Sequence, residues 1–71
     1  MAIKRGTQIV HRFPGNDRYG FVRWASKTEA FVHFWQGDKV TQGEIFFVGH
    51  LEEFDSVDQE KVDSILPHLA T

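Results

Sequence analysis

Arg18-Tyr19-Gly20-Phe21-Val22-Arg23-Trp24 and, after the connection Ala25-Ser26-Lys27-Thr28, Glu29-Ala30-Phe31-Val32-His33-Phe34-Trp35 decide how this chain folds. Both runs have strand length and are rich in aromatic and β-branched residues, and the short link between them predicts an antiparallel hairpin. Side chains alternate across a strand. One face then carries Gly20, Val22 and Trp24 with Ala30, Val32 and Phe34, which reads as core. The other carries Tyr19, Phe21 and Arg23 with Phe31, His33 and Trp35, which reads as a surface.

Outward from the hairpin, Thr7 to Phe13 reads as a preceding strand, ended by the turn residues Pro14-Gly15-Asn16-Asp17. Gln36-Gly37-Asp38 turns the chain again, Lys39 to Gly43 is ambiguous, and Glu44 to Val48 is an apolar run of strand length. Leu51 to Phe54 reads as a tight connection of one 3₁₀ turn. Ser56-Val57-Asp58-Gln59 fits a capping box, which predicts a helix from Val57 to about Leu66 that Pro67 ends or kinks. The expected architecture is mainly β: a small antiparallel β-barrel, OB-like or SH3-like, over 6–54, with a short C-terminal α-helix in 56–69, all in one domain over 1–71.

Seventy-one residues leave room for one core, and the absence of cysteine excludes disulfides and thiolate-metal sites. Seven Phe, two Trp and one Tyr must then supply most of that core. No apolar run is long enough to span a bilayer and no signal peptide is visible, so the expected setting is cytoplasmic. His11, His33, His50 and His68 lack metal-ligand spacing, and no glycine-rich phosphate loop is present. Ser26, Ser56 and Ser64 fall in a turn, a cap and a helix. The expectation is a non-enzymatic module without metal or cofactor.

Charge is divided along the chain. Residues 1–40 hold seven Lys and Arg against three carboxylates, a balance of +4; residues 41–71 hold Lys61 against seven carboxylates, a balance of −6. Such asymmetry favours polyanion contact at the basic end. The hairpin surface mixes rings with Arg and His, the combination that binds single-stranded nucleic acid: bases stack on rings for about 1–3 kcal/mol each while cations hold the phosphates. Gly20 would let a nucleotide approach the backbone.

Gly6-Thr7, Arg18-Tyr19-Gly20-Phe21-Val22 and Ala30-Phe31-Val32-His33-Phe34 together resemble the opening of the cold-shock domain and its two ribonucleoprotein motifs. The resemblance covers 6–34 and implies a five-stranded OB barrel that binds RNA or single-stranded DNA. It passes base-stacking roles to Tyr19, Phe21, Phe31, His33 and Phe34, and Arg12, Arg18, Arg23 and Lys27 would contact phosphate. The stretch departs from the family where His11-Arg12-Phe13-Pro14 replaces its Lys-Trp-Phe-Asn, and where no fifth strand is found.

Gly6-Thr7-Gln8-Ile9 and Phe46-Phe47-Val48-Gly49-His50-Leu51-Glu52-Glu53 also resemble the opening and closing of SH3-like barrels of the Tudor or KOW sort, over 6–54. That resemblance implies a protein-interaction module, an accessory subunit, adaptor or inhibitor, with Tyr19, Trp24, Phe34 or Trp35 lining a recognition pocket. A protein partner would use the barrel face or the acidic C-terminal helix. The disposition of that helix separates the readings. Laid across the aromatic face through Val62, Ile65 and Leu66, it would turn Tyr19, Phe21 and Phe31 into packing residues.

Overall fold

The computed structural model describes residues 3–69. In chain order it contains β1 (Gln8–Phe13), β2 (Asn16–Ala25), β3 (Glu29–Gln36), β4 (Lys39–Val40), β5 (Glu44–Phe47), a 3₁₀ turn (Val48–His50), β6 (Glu52–Glu53) and α1 (Gln59–Leu69). Pro14 and Gly15 form a two-residue loop between the paired Phe13 and Asn16; proline supplies the fixed φ of the first position and Gly15, at φ 80°, the left-handed second one. Ser26 closes the next hairpin. Its N–H donates to the Glu29 carbonyl at 2.8 Å, and its hydroxyl accepts from the Glu29 N–H at 3.1 Å.

The strands form one antiparallel sheet in the order β4-β3-β2-β1-β6, with β5 beside the first half of β3. β6 returns to β1 through Ile9 with Glu53 and Val10 with Glu52. Among the described residues the sheet curls without closing into a hydrogen-bonded barrel. The 3₁₀ turn lies at Val48–His50, ahead of the expected Leu51–Phe54, because Glu52 and Glu53 are drawn into strand pairing with β1. No described helix is long and apolar enough to cross a membrane.

Two apolar layers flank the sheet. Ile9, Val22, Ala30, Val32, Phe34 and Leu51 fill the concave side, joined by Phe46 and Val48. On the convex side α1 lies against Phe21 through Val62 and Leu66, with Trp35, Val40 and Ile65 around them. The helix therefore covers the central part of the face read as a surface, for the reason any amphipathic helix packs: its apolar stripe must leave water.

α1 begins two residues later than the capping box predicts. Among the described residues no hydrogen bond joins Ser56 to Gln59. Instead the Gln59 amide donates to the Gly6 carbonyl at 2.8 Å and to Asp63 Oδ1 at 3.1 Å. Pro67 lies in the last turn and does not end the helix, which continues to Leu69. So near the end, its missing donor removes a single intrahelical bond.

A bulge at Arg23 corrects the hairpin faces. Val22 pairs with Val32, but Trp24 pairs with Phe31, so the register shifts by one residue between them. One inserted residue moves every later side chain to the opposite face. Trp24 leaves the core assigned to it and stands on the convex side.

Candidate interaction face

The bulge places Trp24 over Phe31, with ring centroids 5.8 Å apart and planes 6° from parallel. The next strand adds to the same face, because Phe31 pairs with Ile45 and Glu29 with Phe47. Trp24 is 42% exposed, Ile45 56% and Phe47 60%, around a partly buried Phe31. The Arg23 guanidinium carbon lies 5.4 Å from the Phe31 ring centroid. His50 meets Phe47 edge-on at 5.8 Å. Gly43 completes the floor: a β-carbon there would collide with the Phe31 ring.

Of the nine residues proposed from sequence to contact nucleic acid, only Arg23 and Phe31 lie on this face. Lys27 is exposed in the β2–β3 loop and lines a groove with Ile3, Val48, Gly49 and Leu51. Tyr19 stands elsewhere, partly exposed against Phe54 at 5.3 Å. Three stacking assignments are overturned by burial. Phe21 has no exposed surface and packs on Val62 and Leu66; His33 is 4% exposed; Phe34 is sealed in the concave core. Only Phe21 owes its burial to α1; the segment after β4 lies against His33, and the concave layer encloses Phe34.

Two phosphate assignments meet prior partners. Arg12 donates from Nε to Glu52 at 3.0 Å and from Nη1 to Asp17 at 2.8 Å. These carboxylates, Glu52 foremost, raise the pKa of its guanidinium above its ordinary value. Arg18 donates to Glu44 at 2.9 Å and lies 4.0 Å from the Phe34 ring centroid, capping the open end of the concave core. Both cations answer charges within the chain.

Gly20 permits close approach by β3 and not by a ligand, since a β-carbon would collide with the His33 carbonyl. His33 Nδ1 lies 2.8 Å from the Thr41 carbonyl, which can only accept, so Nδ1 is the donating nitrogen. The Phe34 N–H donates to the Thr41 hydroxyl at 3.0 Å, and together these bonds hold the segment after β4 against β3.

Alternation assigns Trp24 to the core, although the SH3-like resemblance offers it as a pocket residue, and sequence reasoning missed Ile45 and Phe47 as surface residues. A bulge leaves no signature in one sequence, and Glu44-Ile45-Phe46-Phe47-Val48 is apolar on both faces, so alternation cannot show which side meets water. Scans of protein-family profiles and searches of characterised proteins and of solved structures find no match to this chain.

Proposed function

We propose that this chain is a protein-contacting module with an SH3-like strand arrangement, docking its partner on the convex face formed by β2, β3 and β5. One observation carries the reading: Trp24, Ile45 and Phe47 remain exposed around Phe31, while of the rings needed for base stacking Phe21 lies beneath α1 and His33 is buried with Nδ1 against the Thr41 carbonyl. Contiguous exposed apolar side chains mark interaction sites more often than they mark accidents of folding. Three consecutive antiparallel strands, two short strands, a 3₁₀ turn and a last strand returning to β1 support the SH3-like arrangement over the cold-shock one. The carboxylate partners of Arg12 and Arg18 weaken the case for a phosphate track.

The test is affinity isolation of the tagged chain from its own cells, with and without nuclease. The expected result is a stoichiometric protein partner that survives nuclease and is lost from a Trp24→Ala/Phe47→Glu variant whose circular dichroism is unchanged. Partner loss on nuclease treatment would overturn the reading.

A second reading has an observation of its own, the flat Trp24–Phe31 stack with Arg23 beside it and Lys27 on the adjoining loop. It supports a short single-stranded RNA or DNA contact, smaller than the one expected from the sequence. Oligonucleotides would then quench tryptophan fluorescence at low salt and lose affinity as salt rises.

A further inference from the structure

Each residue of a strand directs its N–H and C=O to one neighbour, and successive residues alternate sides. In β5 the alternation is fixed by one bond, from the Val48 N–H to the Thr28 carbonyl at 2.8 Å. In the β3–β5 register, Val32 with Glu44 and Ala30 with Phe46 are therefore the hydrogen-bonded pairs. Phe31 with Ile45 and Glu29 with Phe47 are the pairs that exchange no bonds. The backbone groups of Ile45 and Phe47 point away from β3, and among the described residues no strand receives them. Their side chains are the two most exposed apolar residues of the convex face. Natural edge strands are blunted by shortness, charge, Pro, bulges or covering segments; β5 is short and carries Glu44 at one end, but its outward-pointing residues Ile45 and Phe47 are neither charged nor Pro.

From this geometry we infer that β5 pairs antiparallel with β5 of a second copy of this chain. The edge is self-complementary in one register. Placing Ile45 opposite Phe47 of the second copy, and Phe47 opposite its Ile45, lets each pair exchange two backbone hydrogen bonds, and all four outward-pointing residues are satisfied. The same register sets an Ile beside a Phe twice on the convex face. Glu44 falls opposite Val48 of the second copy, and the two Glu44 carboxylates, each paired with Arg18 of its own chain, lie at opposite ends. The surface available is small: Ile45 and Phe47 offer on the order of 200 Å² of side chain per copy, well below a standard interface. The dimer is accordingly weak and fills only at high concentration.

The inference uses the backbone edge of β5 and goes beyond the face reading, so either can fail alone. Sedimentation velocity on the full chain from about 10 to about 800 µM should show mass rising toward a dimer, a range set by the small contact. Over the same series the amide resonances of Ile45 and Phe47 should shift while those of Glu44 and Phe46 hold. Phe47→Lys should keep the chain monomeric throughout. Ile45→Pro removes an outward N–H without touching a β3–β5 bond and should do the same. A monomer at every concentration, or a dimer that persists in both folded variants, overturns the inference. If the wild type stays monomeric and a nuclease-resistant partner shifts Ile45 and Phe47, the edge takes a foreign strand: the second copy is excluded and the protein-contact reading stands.

Discussion

The side-chain amide of Gln8 exchanges two hydrogen bonds with the backbone of Val57: its Nε2 donates to the Val57 carbonyl at 2.8 Å and its Oε1 accepts the Val57 N–H at 3.1 Å. Nε2 also lies 3.2 Å from Gln59 Oε1. Gln8 is buried in β1, so these bonds tie the segment leading into α1 to the sheet, 49 residues away in sequence. An apolar residue of similar size would strand the Val57 donor and acceptor. We expect Gln8→Leu to cost about 1–3 kcal/mol, read as a lower midpoint in urea with an unchanged slope. A midpoint equal to wild type would show that water replaces the amide without penalty.

Gly20 and His33 set a stricter limit. The strands approach so closely there that a β-carbon would meet the His33 carbonyl, which is backbone and unable to rotate aside. Gly20→Ala must separate β2 from β3 at the centre of the sheet, where Phe21 and Phe34 serve the two apolar layers. The expected loss is about 3 kcal/mol or more, at the upper end of overpacking effects. Gly15→Ala is the control, since its β-carbon would meet nothing and its cost comes only from positive φ. Thermal melts should rank Gly20→Ala far below Gly15→Ala.

What could be read from sequence follows from this contrast. The hairpin of β2 and β3, its Pro14-Gly15 predecessor and the amphipathic C-terminal helix all rest on local patterns, and the strands and helix form close to where those patterns predict. The site rests on two non-local facts. Whether Phe21 or Trp24 meets water depends on a bulge at Arg23 and on where α1 comes to rest, and both are settled by packing between distant residues. Period-2 reasoning assigns alternate positions to faces but cannot count an extra residue. The result is that Trp24 and Phe21 exchange the environments first assigned to them.

Arg12 gives a prediction about pH and salt. Glu52, and to a lesser degree Asp17, make its guanidinium hold its proton more tightly in the folded chain. A group whose pKa rises on folding contributes stability that is complete below its unfolded pKa and is lost only as pH climbs through the folded one. For Arg12 that window begins at its ordinary, strongly alkaline value, so its contribution is flat across neutral and mildly alkaline pH. The pairs are solvent-exposed, which makes them weak and sensitive to screening. Arg12→Gln should lower the melting temperature slightly at low ionic strength, by an amount that shrinks as salt is added and does not vary between pH 6 and about 9. A loss that persists in high salt would mean that Arg12 acts through packing of its stem.

Trp24 separates binding from folding. Its ring lies parallel to Phe31 and is 42% exposed, so truncation removes one stacked pair and part of a buried surface, not a core element. Trp24→Ala should cost about 1–2 kcal/mol, less than Gly20→Ala, and leave the β-sheet spectrum intact. Trp24→Phe keeps a flat ring over Phe31 and should cost less still. The remaining tryptophan, Trp35, is partly buried against Phe21 at 5.2 Å, with the Lys61 ammonium 4.9 Å from its ring centroid. Iodide should therefore quench the wild type through Trp24 and quench Trp24→Ala much less. With folding verified in this way, loss of the captured partner from Trp24→Ala and its retention by Trp24→Phe would place the contact on the Trp24–Phe31 stack. Equal capture by all three chains would mean that the partner binds elsewhere.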